Sequence, residues 1–423
     1  MMTEKKKEHI KWLQLLPCIV CISWLNHGLF AQFGIVNFAV FFCCFGLWFI
    51  LGLSDRYFVS RYLRENVWLL GYVAMVLLFS VLLDEFWNKY SYTAFYLLIM
   101  LMFSTYYRAD RYRQERKILW YYYLIEITVI AIVTAYTCVN DPYLARTLAG
   151  GVELEEGQSS LFVASFDNIY TFALVVIFAV AVRGKLLSKK LWIVSVAMLI
   201  ICIYFANFGT AVFISVLFLA LMFLVKKPWK ILLCVVIVVL LFSSLRQSIA
   251  DFSTMLSNQT WLSDFLRGKL MDIANTLNGV HAYQDANTLY MRLEYIEDAL
   301  TVFGKHPLFG VYGFTELYTT ERVLLRDHNV WFDMIAYFGV IRIIPFIGFL
   351  HSWYTNNKPL FKQFKYSPLA YVLLLWVILG FFNPVNKPAV QVFLFVMLPL
   401  SDVLFREEEN AAPEGALPCR SGV

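Results

Sequence analysis

Residues 292–339 read RLEYIEDALTVFGKHPLFGVYGFTELYTTERVLLRDHNVWFDMIAYFG, and long apolar runs flank them on both sides. Apolar residues at 289, 293, 296, 300 and 303 follow alternating steps of four and three, which predicts one face of an α-helix. At about 100° per residue, Arg292 falls on the same arc as Ile296 and Ala299. Because a buried unpaired charge is costly, we expect an anion or several acceptors beside Arg292.

The predicted helix is followed by a turn and then by a second helix. Gly304 and Pro307 are expected to end the first helix. A glycine-containing turn at 308–313 leads towards Asp327-His328-Asn329, which stands where the next apolar run begins. Polar residues are therefore concentrated in this one stretch, so we expect any chemistry to occur there.

The composition excludes an ordinary soluble domain. The chain has 423 residues, of which 60% are hydrophobic and only 15% are charged, as is typical of a polytopic membrane protein. The net charge of +5 is small, and the sequence contains no nucleic-acid-binding signature. No spacing of His, Cys or Asp fits a zinc or calcium site, so no metal and no cofactor is expected.

Apolar runs of spanning length predict an all-α membrane protein with about twelve transmembrane helices. The predicted spans lie near 11–31, 33–53, 67–83, 90–107, 118–138, 162–182, 191–206, 210–225, 231–245, 329–350, 367–382 and 389–405. Every second gap between them is basic, and the gaps in between are short or acidic. This alternation predicts that both termini are cytoplasmic.

The predicted topology gives a single polytopic domain at 1–405 and a cytoplasmic tail at 406–423. Two longer segments, 139–161 and 246–328, are then extracytoplasmic loops, and the second is the large one that would carry the active site. The tail is acidic and then rich in Pro, Ala and Gly, which is typical of disorder.

Two groups of residues in the same region resemble the signature of the O-antigen polymerase and ligase superfamily. The first is Arg292…Ala299-Leu300…His306-Pro307-Leu308-Phe309-Gly310, and the second is His328-Asn329…Asp333…Tyr337-Phe338-Gly339. Within that superfamily the chain is most similar to Wzy-type polymerases of capsular and O-antigen polysaccharide. A further stretch, from Asp141-Pro142 to Arg146-Thr147, resembles an arginine-bearing outer-loop motif of some capsule polymerases.

The resemblance implies glycosyl transfer between polyprenyl-diphosphate-linked oligosaccharides on the outer face of a bacterial inner membrane. The partners implied are these lipid-linked substrates, membrane lipid, a chain-length regulator and a flippase, with no nucleic acid. A ligase that moves finished polymer to another acceptor shares the motif and remains an alternative. A flippase of lipid-linked sugars is the other, but its charges should line a membrane-buried cavity.

Arginines are the candidate ligands of the leaving diphosphate, because a guanidinium binds phosphate oxygens through two hydrogen bonds at once. Arg292 is the first candidate, for catalysis as well as binding, and Arg146 is the second. Arg322 and Arg326 flank the same site. Snorkelling, pairing with a nearby acid, or simple loop exposure is the alternative for each of them.

His328 is the candidate general base, since it stands at the amino end of a membrane helix and matches the family's histidine. It could equally donate to a phosphate oxygen, or form a polar cap together with its neighbours. His306, Asn329 and Asn168 are further candidates, and His306 also suits a simple turn beside Pro307.

The chain departs from the family pattern in two places. The position where many relatives carry an arginine reads Asn207-Phe208-Gly209 here, so either Arg146 supplies that charge or the diphosphate is held differently. The usual glycine after the His-bearing segment is also replaced, since Phe338-Gly339-Val340-Ile341 is followed by Arg342. An arginine near mid-membrane is expensive and should have a partner; a pair with Glu126 is one possibility that no sequence pattern supports.

Overall fold

The computed structural model describes residues 11–26, 35–82, 89–141, 144–145, 163–206, 208–262, 264–278, 289–312, 325 and 329–405. Sixteen α-helical segments, α1 to α16, are defined within them. In order they are Trp12–Asn26, Ile35–Gly52, Phe58–Glu65, Val67–Leu82, Lys89–Tyr107, Arg113–Asn140, Phe166–Val182, Lys189–Phe205, Gly209–Val225, Pro228–Leu240, Phe242–Ser257, Asp264–Leu277, Leu289–Lys305, Val330–Asn357, Pro368–Gly380 and Pro388–Gln391. A π-helical turn, Val392–Met397, and a 3₁₀ segment, Leu398–Leu404, continue α16.

The fold is that of a helical membrane protein. Two helices in the described part, Asp110–Asn140 and Val330–Phe361, are individually long and apolar enough to cross a membrane. The number rises to four if two pairs of consecutive helices each count as one span. The two helices of a pair are bent relative to each other, by 77° in one pair and by 119° in the other. Helical residues occur in every predicted span; in the described part of the chain, half of these helices are shorter than the predicted runs and half are as long or longer.

The centre of the fold consists of α7 and the helix that begins with α16. All residues from 168 to 179 and from 389 to 401 are buried. Both segments are apolar on all sides, and a helix of that kind is stable only when other protein surrounds it or lipid does. Here α7 packs against α8, α9, α15 and α16, so protein side chains surround it.

Ion pairs tie several helix ends together on one side of the molecule. Arg116 is buried, and its guanidinium lies 3.0 Å from Asp402 Oδ2 while Nη1 donates to the Arg108 carbonyl at 2.7 Å. Arg108 also pairs with Glu65. Arg116 therefore joins α6 to the C-terminal helix, and Arg108, directly after α5, joins the end of that helix to α3.

The segment at 246–328, predicted as a long loop, is mostly helical where the structure describes it. The predicted span at 231–245 breaks at Leu241, after which α11 and α12 form a hairpin and α13 follows. Small and apolar side chains such as Ala250, Leu270 and Ala274 are buried in this hairpin region. Most of the predicted loop at 139–161 and the whole tail at 406–423 lie outside the described residues.

Candidate functional site

Helix α14 is broken at Gly339, which has φ 63° and ψ 177°. In an unbroken helix the N–H groups of Val340 and Ile341 would donate to the carbonyls of Ala336 and Tyr337. The break separates these four groups. A backbone group left unsatisfied inside a membrane costs several kcal/mol, so all four need other partners.

The turn at 307–312, which follows α13, supplies those partners. Four backbone hydrogen bonds connect it to the break: Val311 N–H to Ala336 O (3.1 Å), Tyr312 N–H to Tyr337 O (2.9 Å), Val340 N–H to Pro307 O (2.9 Å) and Ile341 N–H to Leu308 O (3.1 Å). We call residues 307–312 and 336–341 together the interlock. It satisfies all four separated groups within the protein.

Two glycines make the close approach within the interlock possible. Gly310 and Gly339 both have positive φ, 64° and 63°. A Cβ on Gly310 would lie 2.6 Å from the Gly339 nitrogen, and one on Gly339 would lie 2.5 Å from the Gly310 nitrogen. Neither position therefore has room for a side chain, and both backbone conformations favour glycine.

The interlock joins the two halves of the sequence signature. His306-Pro307-Leu308-Phe309-Gly310 comes from the end of α13, and Tyr337-Phe338-Gly339 comes from the middle of α14. The glycines and the proline of these motifs have structural roles in the backbone bonding just described. The motif resemblance thus includes residues that build the scaffold as well as residues that could react with a substrate.

Arg342 lies beside the interlock and is buried, with 2% of its surface exposed. Its guanidinium carbon is 3.5 Å from the centre of the Phe79 ring and 5.8 Å from that of Phe309. Such cation–π contacts stabilise a desolvated arginine. Glu126, named as one possible partner, accepts a hydrogen bond from Asn26 Nδ2 at 3.1 Å.

Helix α13 buries a different stripe from the one that apolar spacing predicted. Ala299 and Val302 are fully buried, whereas Leu293 and Leu300 are 44% and 43% exposed. The predicted end of the helix at Gly304 and Pro307 is confirmed, because α13 ends between them at Lys305.

Most of the predicted catalytic and diphosphate-binding side chains are not part of the described structure. The backbone of Arg292 lies in the first turn of α13, but its side chain lies outside the described part. Arg146, Arg322, Arg326 and His328 also lie outside it. Their roles stay predictions.

His306 and Asn329 are described, and both have backbone roles. The His306 carbonyl accepts from Gly310 N–H at 2.9 Å, as expected of a turn residue. Asn329 is fully buried as the first residue before α14, and its N–H donates to Asp333 Oδ2 at 3.2 Å. Asn329 and Asp333 thus set the start of the helix directly after His328.

Asn168 belongs to a polar connection between three helices. Its Oδ1 accepts from Ser165 N–H at 3.2 Å in a capping box at the start of α7. Its Nδ2 donates to the Asn26 carbonyl at the end of α1, at 2.6 Å, and Asn26 in turn donates to Glu126 of α6. These contacts give Asn168 a structural role, and its predicted role at the site stays a prediction.

The turn between α15 and α16 is a polar element that the sequence interpretation missed. It contains Asn383 and Asn386, and Tyr170 OH donates to Asn383 Oδ1 at 2.7 Å. Gln391, at the end of α16, donates through Nε2 to the Asn386 carbonyl at 3.0 Å. Two prolines and two asparagines between apolar runs were the available signal, because such residues favour buried, hydrogen-bonded turns.

In the described part of the chain, no group of three or more His, Cys, Asp or Glu side chains could hold a metal ion. No protein-family model matches the chain, and no curated protein sequence matches it. The similarity to polysaccharide polymerases therefore depends on the quoted motifs and on their order along the chain.

Proposed function

We propose that this protein is a polysaccharide polymerase of the cytoplasmic membrane. It joins polyprenyl-diphosphate-linked oligosaccharide repeat units at the outer face and thereby contributes to capsule or O-antigen synthesis. The observation that carries the proposal is the interlock, because it brings the His306–Gly310 and Tyr337–Gly339 motifs together by backbone hydrogen bonds. Two motifs that only resembled a signature in sequence are thus neighbours in space.

The interlock also suits a site that needs a rigid framework. It connects the end of α13, whose first turn contains Arg292, to α14, whose start follows His328. Catalytic groups placed on packed helices hold their geometry better than groups on free loops. Because four hydrogen bonds fix α13 against α14, the two predicted catalytic residues would belong to one rigid unit.

In the proposed reaction, a hydroxyl oxygen of the new repeat unit attacks the anomeric carbon of the growing chain. The bond from that carbon to the diphosphate oxygen breaks, and polyprenyl diphosphate leaves with the electron pair. Arg292, with Arg146, Arg322 and Arg326, stabilises the negative charge that develops on the leaving group. The hydroxyl proton moves to an imidazole nitrogen of His328.

The proposed topology has cytoplasmic termini and an external 246–328 segment, on the basis of the alternating basic gaps. A thiol reagent that cannot cross membranes should label Asn278→Cys on intact cells and spare Ser188→Cys; both side chains are exposed in the fold. The unmodified protein, which has eight cysteines, gives the background. Labelling at position 188 with none at 278 would reverse the orientation and move the proposed site to the cytoplasm.

Turnover by the purified protein with lipid-linked repeat units tests both the reaction and the role of His328. The wild type should produce a ladder of polymer lengths. His328→Gln should be nearly as slow as His328→Ala, about 10²–10⁴-fold below wild type, because an amide can donate a hydrogen bond but cannot serve as a base. Substrate binding should persist in both variants.

Two results of that assay would contradict the proposal. A wild-type protein that binds the substrates but forms no polymer would exclude the polymerase reaction. If His328→Gln retained most of the turnover, the base assignment would be wrong and His328 would be a positioning residue. A pH profile of wild-type turnover, with activity lost as the imidazole gains a proton, would support the base role.

A further inference from the structure

A small cavity lies between the starts of α5 and α14 and the turn that precedes α16. Its lining includes Tyr90, Thr93, Trp331, Trp376, Asn386 and Gln391. The space that a water molecule can enter is about 20 Å³, and about 10–15 Å³ is enough to hold one water or one hydroxyl group. All three chain segments lie on the predicted outer side.

Gln391 is the polar group that makes this cavity unusual. Its side chain is only 4% exposed, and Nε2 is engaged with the Asn386 carbonyl. Oε1 is buried and accepts no hydrogen bond from any residue that the structure describes. A buried acceptor without a donor costs about 1–3 kcal/mol, so the site is suited to a ligand that carries a donor.

The aromatic lining is held in position before any ligand arrives. Trp331 Nε1 donates to the Val377 carbonyl at 2.7 Å, and Trp376 Nε1 donates to the Val385 carbonyl at 3.1 Å. The two indole rings lie 4.9 Å apart in an edge-to-face arrangement. Since both N–H groups are occupied, the rings present apolar surface to the cavity rather than competing for Gln391.

The backbone beside Gln391 is also irregular. A π-helical turn, Val392–Met397, begins directly after it. Such turns are rare in proteins overall, and those that occur are often found at functional sites. Phe395 of this turn also lines the cavity. Tyr90 connects the cavity to the interlock, since its ring lies 4.8 Å from that of Tyr337.

We infer that the cavity is a saccharide subsite that receives one hydroxyl group of a sugar ring. The hydroxyl donates a hydrogen bond to Gln391 Oε1, and the ring itself stays outside the cavity, with its C–H face on the partly exposed indole of Trp331, whose face carries negative charge density. Aromatic walls with a few fixed polar groups are typical of small-molecule sites. Val330 lines the cavity and follows His328 by two positions in the sequence.

This inference deepens the proposed polymerase function, but sugar binding can be measured separately from polymerisation. The probes are methyl pyranosides of glucose, galactose, N-acetylglucosamine and rhamnose, with binding followed by saturation-transfer NMR on the full chain in lipid nanodiscs. At least one should bind the wild type. Gln391→Leu removes the acceptor at similar size, so it should weaken that binding by about tenfold or more, the equivalent of one lost hydrogen bond to a buried group.

Gln247→Leu is the matched control, because Gln247 is exposed on α11 and its Nε2 contacts only Asp251 in the described structure. It should bind the glycoside as the wild type does. A thermal unfolding scan of each variant checks folding. If Gln391→Leu fails to fold, Gln391→Met removes the same acceptor with an unbranched side chain and provides the same comparison.

The outcomes are distinct. Equal glycoside binding by wild type and folded Gln391→Leu would overturn the subsite, and so would an absence of binding to the whole panel. A polymer ladder from wild type together with either result would leave the proposed function intact. Gln391-dependent binding without any ladder would support the subsite and contradict the polymerase reaction.

Discussion

Gly339→Ala is expected to produce far less folded protein than the wild type and to lower its thermal unfolding temperature strongly. The substitution forces alanine into a backbone with φ 63°, which costs about 1–3 kcal/mol. Its Cβ would also lie 2.5 Å from the Gly310 nitrogen, and relieving that overlap costs about 1–3 kcal/mol more. The relief would separate the turn from α14 and leave backbone groups unsatisfied.

Gly304→Ala is the matched control for this experiment. Gly304 lies in α13, six residues before Gly310, and a Cβ there would meet nothing within 4 Å. Because Gly304 lies in the last turn of α13, alanine there is expected to stabilise the helix by at most the roughly 0.5–1 kcal/mol that it contributes in a helix interior. Size-exclusion profiles and unfolding curves in detergent measure both variants. If Gly339→Ala unfolds within a degree or two of the wild type, the interlock does not stabilise the fold.

Arg292→Ala is expected to abolish polymer in cells while the protein remains in the membrane. The loss of one group that stabilises developing charge typically costs about 10²–10³-fold in turnover. The lipid-linked oligosaccharide should then accumulate as a single repeat unit, visible as one band instead of a ladder. Arg292→Lys should restore little, because an ammonium cannot bind two phosphate oxygens in the planar arrangement of a guanidinium.

Arg267→Ala provides the comparison for Arg292. Arg267 lies in α12 of the same predicted outer segment and pairs with Asp264, whose side chain is 90% exposed. Surface pairs of this kind contribute about 0–1 kcal/mol, so Arg267→Ala should keep the ladder. A normal ladder from Arg292→Ala, at equal protein level, would reduce Arg292 to a structural residue.

Local signals in the sequence were sufficient for much of the fold. Apolar runs between basic gaps predicted a helical membrane protein, and the prediction holds because hydrophobic length and composition act within each segment. The existence of α13 and its end near Pro307 followed from periodicity and from the restriction that proline imposes on the preceding residue. The start of α14 beside Asn329 followed from the point where the apolar run begins.

Long-range contacts decided the features that give the candidate site its form. The run around Phe338-Gly339-Val340 is apolar and was interpreted as continuous helix, since nothing in it indicates where its hydrogen bonds go. Only the turn at 307–312, brought there by the packing of α13 on α14, replaces the bonds lost at the break.

Long-range contacts also decided which face of α13 is buried. Leu293 and Leu300 fit the apolar periodicity, yet they are exposed, while the smaller Ala299 is buried in a helix that packs on α14. The cavity at Gln391 likewise depends on three segments that are distant along the chain. Hydrophobic pattern and capping are properties of residues that are neighbours in the sequence. Cavities and backbone interlocks exist only where separate segments meet, and tertiary packing decides which segments meet.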